Sequence, residues 1–144
     1  MLLINSKGSG GGGGKPPQCS VKRYTGGDYN VNGRDWTDID DTNLSITLTT
    51  GASWVLIFLT GSVYVSSFGL VGFDVTIDGD RVGQTFGIVR GQYIYELPLC
   101  AMWLCQVSAG EHTFRPQYKT TAGFLTLRAS ADYTPAQFGI IELL

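Results

Sequence analysis

The single imidazole of this 144-residue chain, His112, is the natural starting point for any chemistry it could perform. It stands in "AGEHTFRP", where strand alternation puts it on the same face as Phe114. General base catalysis by one histidine needs a nucleophile and an orienting partner within reach. Serines are plentiful, but none occupies a G-x-S-x-G turn that would expose a nucleophile. His112 therefore reads as a packed, hydrogen-bonded structural residue. Asp35, Asp38, Asp40 and Asp41 crowd one loop-to-strand segment, an oxygen density that suits calcium. The D-x-[DN]-x-[DN]-G order is missing, so the segment reads as solvated loop. Asp74, Glu96, Glu111 and Glu142 supply carboxylates for paired glycosidase chemistry, but sequence fixes no separation between them.

Cys19, Cys100 and Cys105 read as reduced, mostly buried thiols; the other reading pairs Cys100 with Cys105 across a turn. Their spacing matches no zinc template. The glycine run at 8–14 lacks the Lys-Ser/Thr ending of a phosphate loop. No catalytic residue, metal site or cofactor is expected. Among the aromatic residues, Tyr29 and Trp36 lie near turns, where they suit either a sugar-stacking platform or a subunit contact.

The elements that would carry these residues follow from composition and period. Charged residues make up 15% of the chain, well under the roughly 25% of an average globular protein. A net charge of −2 supplies no basic field for nucleic acid or an anionic membrane, so neither is an expected partner. "MLLIN" is too short for a signal-peptide core, and no apolar run reaches the roughly 20 residues of a spanning helix.

Extended segments follow one another from Cys19 onward. Leu44, Ile46 and Leu48 alternate with Ser45, Thr47 and Thr49, the period of a half-buried strand. "SWVLIFLTGSVYVSS" (53–67) lacks polar alternation, as a central strand covered on both faces would. Asp78-Gly79 marks a tight hairpin. Pro98 lacks a donor, so its strand should end or lie at a sheet edge. Further turns are expected at Ala109-Gly110 and Ala122-Gly123, and "QFGIIELL" (137–144) should form a core strand beside an early one. Eight to ten such strands predict an all-β fold, a single jelly-roll-like antiparallel β-sandwich over residues 18–144.

The segment "VSAGEHTFRPQYKTTAGFLTLRASADYTPAQFGIIEL" (107–143), with "DIDDTNLSITLTTGASWVLIFLTGSV" (38–63) and "FDVTIDGDRVG" (73–83), resembles jelly-roll head domains of virion proteins. These are the small decoration and tail-fibre proteins of tailed bacteriophages, similar in outline to the tumour-necrosis-factor and C1q-like fold. The resemblance implies a non-enzymatic subunit located in the virion, a homotrimer whose partners are other capsid or tail proteins. The alternative from a different class is a receptor- or carbohydrate-binding sandwich using Tyr29 and Trp36.

Residues 1–17 stand apart as an arm. The glycine-rich stretch has too much backbone entropy to order without contacts, and Pro16-Pro17 stiffens its junction with the sandwich. Met1, Leu2, Leu3, Ile4 and Asn5 are too few for a core, but they suit strand addition to another chain's sheet edge. Subunit contacts are expected on the exposed sides of the 44–49 and 124–129 strands.

Overall fold

The chain runs through β1 (Cys19–Tyr24), β2 (Tyr29–Val31), β3 (Thr37–Asp38), β4 (Ile46–Thr50), β5 (Ser53–Val65) and β6 (Val71–Ile77). It continues through β7 (Asp80–Arg81), β8 (Val89–Gly91), β9 (Leu97–Val107), β10 (Gly110–Thr120), β11 (Leu125–Arg128) and β12 (Ala136–Leu143). This computed structural model describes residues 16–91, 95–130 and 135–143, and no helix occurs among them. Eight strands have four or more residues and four have two or three.

Local sequence sets the turns. Asp78 and Gly79 adopt φ values of 56° and 96°. That mirror-image geometry matches strand twist and folds β6 onto β7. Gly123, at φ 67°, turns the chain between β10 and β11.

Two antiparallel sheets result. In one, β5 lies centrally with β9 along one side and β12 followed by β11 along the other; β1 flanks β12 and β2 flanks β11. In the other, β10 and β6 form the centre, with β3 and β4 beside β10 and β7 and β8 beside β6. This is the expected jelly-roll-like sandwich. The closing strand β12 pairs with β1 from Cys19↔Ile141 to Tyr24↔Ala136, so the last apolar segment does lie beside the first.

Prolines sit where a ladder can spare a donor. Pro98 lies on β9, which among the described residues pairs only with β5. Pro116 falls between the stretch of β10 that pairs with β4, ending at Phe114, and the stretch that pairs with β3, starting at Gln117.

Phe73, Phe114, Phe138, Ile57, Leu125 and Leu127 are fully buried between the sheets. Each such side chain contributes roughly 1.5–3 kcal/mol over leaving it in water. Leu44 and Ile46 join this core while Thr47 and Thr49 are exposed, as the alternation of that segment predicts. In β5 the odd-numbered Val55, Ile57, Leu59, Val63 and Val65 point into the sandwich. Its even-numbered side chains point away from it, and among the described residues no second layer covers that face. Central position was expected for this strand; cover on both faces was expected too, and among the described residues only one is covered.

Candidate functional site

The uncovered face is built from four strands in register. Across β9, β5, β12 and β1, one row reads Leu104, Leu56, Ile141, Cys19, and the next reads Met102, Phe58, Gly139, Val21. Gln106, Trp54 and Leu143 border them on one side; Cys100, Thr60, Gln137 and Arg23 border them on the other. Trp54 is 46% exposed, Met102 54%, Leu104 49% and Val21 49%. Arg23, on the outermost strand, is the one charge in these rows. Phe58 lies flat across Gly139, where any added methyl group would overlap its ring. A smooth, apolar, nearly uncharged sheet face therefore meets solvent, the kind of patch that marks a protein contact.

The expected contact strands are differently equipped. The outer side of β4 carries Thr47, whose hydroxyl lies 3.1 Å from that of Thr113 on β10. On β11, Thr126 bonds Asn30 at 2.6 Å. The β4 surface is thus polar and internally bonded, while the other also carries Phe124, 55% exposed, and Tyr64 beside Thr126.

At one corner of the apolar face the chain is tied to its N-terminal segment. Glu142, 6% exposed, accepts hydrogen bonds from the Gln18 amide (3.0 Å), the Gly51 amide (2.7 Å) and the Ser53 hydroxyl (2.8 Å). Its own amide donates to the Gln18 carbonyl at 2.8 Å. A buried carboxylate thus fixes the point from which residues 1–17 depart, next to Leu143 and Trp54. Residues 1–15, including Met1 to Asn5, lie outside the described residues.

His112 does find a serine and an aspartate. Its Nδ1 is 2.6 Å from Asp78 Oδ2, and its Nε2 is 3.4 Å from Ser108 Oγ. Nε2 also lies 3.0 Å from the Ser108 carbonyl oxygen, which can only accept. With the Asp78 carboxylate at Nδ1 and the Ser108 carbonyl at Nε2, the protonated ring donates at both nitrogens, while the neutral ring donates at one only. The Asp78 hydrogen bond, followed by that of the Ser108 backbone and outweighing burial, raises the His112 pKa above its ordinary value. The Thr113 amide and then His112 hold the Asp78 carboxyl below its ordinary value. The group is a clamp between two turns, and His112 is hydrogen-bonded at both nitrogens.

The acidic segment is occupied by its own chain. Asp40 accepts from the Asn43 and Thr42 amides, the Asn43 side chain and the Tyr29 hydroxyl. Burial acts to raise its pKa, but these bonds prevail and bring it down to about 2. Asp38 accepts from Gln117 at 2.7 Å and faces Arg115 at 3.6 Å. No group of three or more His, Cys, Asp or Glu able to hold a metal occurs among the described residues.

Tyr29 donates to Asp40 at 2.7 Å and packs on Tyr24, with ring centroids 4.9 Å apart. Trp36 meets two cations, Arg81 at 4.3 Å and Lys119 at 4.5 Å from its ring centroid. It also lines an open groove of about 650 Å³ with Asp38, Asp40, Asp41 and Gln117. Within that lining, Trp36 Nε1 and Gln117 Oε1 are buried without a hydrogen-bond partner.

The cysteines correct their expectation in part. Cys19 and Cys100 are exposed and Cys105 is half-buried, all as free thiols. Cys100 and Cys105 sit on one extended strand, pointing to opposite faces, so no turn brings them together.

Known proteins add little to this geometry. No protein-family profile and no curated protein matches the chain. Among solved structures, Eiger TNF from S. frugiperda is similar at a TM-score of 0.46 and 11% identity, over 90% of this chain and 94% of that one. The infectious bursal disease virus Gx strain structure gives 0.47 and 8%, over 88% of this chain and 36% of that one. The VP2 subviral particle of the same virus gives 0.46 and 10%, over 100% and 45%. The chain thus spans less than half the length of those viral chains.

Two features were missed by sequence reasoning. The Glu142 tie joins residues 124 positions apart. The apolar face is visible in sequence only as the excess of large residues at the even positions of β5 and β9.

Proposed function

We propose that this chain is a non-enzymatic structural subunit of a virion, a capsid decoration or tail accessory protein of a tailed bacteriophage. It assembles as a homotrimer, and Met1 to Asn5 dock on neighbouring capsid or tail subunits. The observation that carries the reading is the apolar, nearly uncharged outer face of β9, β5, β12 and β1. An interface between identical copies sets like against like, so a neutral face suits it where a charged one would repel itself. A sequence that makes β5 apolar on both sides matches a strand covered twice, once by its own sandwich and once by another copy. The virion part rests on the likeness of the strand pattern to virion head domains. The non-enzymatic reading draws on the His112 group, whose two nitrogens each meet an acceptor of the turns they join.

The test uses particles of the virus that carries the gene. The full chain should co-migrate with purified particles on a density gradient, and a variant lacking residues 1–14 should stay folded yet remain at the top. Full-length chain confined to the soluble fraction would contradict the reading.

A carbohydrate-binding role has one observation on its side. Trp36 and Gln117 line the open groove with Asp38, Asp40 and Asp41, polar groups of the kind that bond sugar hydroxyls. A specific response on a glycan array, lost in Gln117→Leu, would favour it.

A further inference from the structure

The two lateral edges of the first sheet are guarded differently. Its β1 edge reads "CSVKRY", with Lys22 and Arg23. Charges of this kind discourage a foreign strand from pairing. The β9 edge reads "LPLCAMWLCQV", 11 residues without a charge. Among the described residues nothing pairs with its outer side.

The direction of its backbone groups can be worked out from the ladder. Ser66 N donates to Phe124 O at 2.9 Å, so even-numbered residues of the β5 run direct their backbone groups toward the β11 and β12 side. Odd-numbered residues of β5 then face β9. In the register Ile57↔Trp103, the odd residues of β9 complete that ladder. The amides of Cys100, Met102, Leu104 and Gln106 therefore point to the free edge. So does the position of Pro98, whose missing N–H costs the ladder nothing.

We propose that residues 1–5 of a neighbouring copy add to the sheet as a strand along the free edge of β9. This takes the neighbouring subunit that receives the arm to be another copy of this chain, and it rests on the arm-docking part of the proposed function. Three facts favour this occupant. The segment "MLLIN" is uncharged and apolar, matching an edge that is uncharged and apolar on both faces. Five extended residues span roughly 17 Å at ~3.4 Å each, enough to pair with five successive residues between Cys100 and Gln106. The Glu142 tie releases the arm at the level of Gln106, since Trp54 pairs with both Leu143 and Gln106.

Reach admits either copy, and burial of the apolar face distinguishes them. A strand beyond β9 lies four inter-strand spacings from β1, about 19 Å. Residues 6–17 extend to about 40 Å, enough for either copy's edge. Pairing with the chain's own edge would lay a glycine-, lysine- and proline-containing tether along the apolar face, burying little of it. Pairing with a neighbour lets that face pack against the neighbour as well. Backbone bonds then supply affinity and the tether supplies effective concentration.

Amide hydrogen exchange tests the proposal. In the full chain, three successive edge amides, Met102 and Leu104 with either Cys100 or Gln106, should exchange about tenfold or more slowly than in a variant lacking residues 1–5, equivalent to about 1.4 kcal/mol of pairing. The protection should be lost on dilution. Met102→Pro should abolish it while the amides of Ala101 and Trp103, which face β5, stay protected and report an intact fold. Proline already stands at the equivalent position 98 of the same strand. Equal exchange with and without residues 1–5 overturns the proposal, and protection that survives dilution overturns the neighbour as its source. Sedimentation of both proteins separates this failure from that of the assembly reading. A stable oligomer with unprotected edge amides leaves assembly standing and removes the β9 receptor.

Discussion

His112 Nδ1 and Asp78 Oδ2 lie 2.6 Å apart, joining a β10 strand residue to the hairpin turn between β6 and β7. The Thr113 amide donates to the other carboxylate oxygen at 2.8 Å, and the Asp78 amide donates back to the Thr113 carbonyl at 2.9 Å. From the β9–β10 turn, Ser108 presents its carbonyl and hydroxyl to Nε2. Phe114, on the same strand, stands edge-on to the ring at 6.4 Å between centroids.

This clamp makes stability depend on pH in a defined window. The His112 pKa is raised above its ordinary 6.5, so its contribution is complete below 6.5 and fades as pH rises through the raised value. The Asp78 pKa is lowered from 3.8, so its contribution is complete above 3.8 and fades as pH falls through the lowered value. The clamp is strongest between pH 3.8 and 6.5. Because Asp78 is half exposed, its effect is about 0.5–1 kcal/mol. Urea midpoints of the native chain should fall between pH 6 and pH 9 relative to those of His112→Gln; parallel profiles would contradict the clamp.

Glu142→Ala removes the acceptor of three donors, the Gln18 and Gly51 amides and the Ser53 hydroxyl. A loss of about 2–3 kcal/mol in denaturant unfolding is expected, because buried donors are left without partners. Faster amide exchange at Gln18 and Gly51 should accompany it. A variant as stable as the native chain would show that the tie contributes nothing.

Arg81 serves three neighbours at once, Asp74, Trp36 and the Gln84 carbonyl. Its Nε is 2.7 Å from Asp74, whose carboxylate is fully buried, and its guanidinium stacks on Trp36. Arg81→Ala should cost about 3 kcal/mol by stranding a buried carboxylate. Arg81→Lys keeps the charge but loses the planar stack, and should recover only part of that stability. Unfolding midpoints and tryptophan emission check both.

Much of the fold was legible because local chemistry decided it. Asp78-Gly79 specifies its own turn, and Leu44, Ile46, Leu48 specify which face of their segment is buried. The site was not legible for the opposite reason. His112 and Asp78 are 34 residues apart, and no local pattern places them together. Whether a strand is central or lateral depends on its neighbours; β9 is as apolar as β5, and only Pro98 marked it as an edge. Cys100 faces outward because register with Thr60 requires it, although its composition suggests burial.

The claim on which the account turns is that Met102, Leu104 and Phe58 lie between copies. Sedimentation equilibrium of the full chain at micromolar concentration measures it directly. The native chain should sediment at three times its 15.6 kDa mass. The double variant Met102→Lys, Leu104→Lys should sediment as a folded single chain, having lost about 2 kcal/mol of apolar burial per site and gained facing charges. A native chain that sediments at its own mass, or a double variant that remains associated, would contradict it.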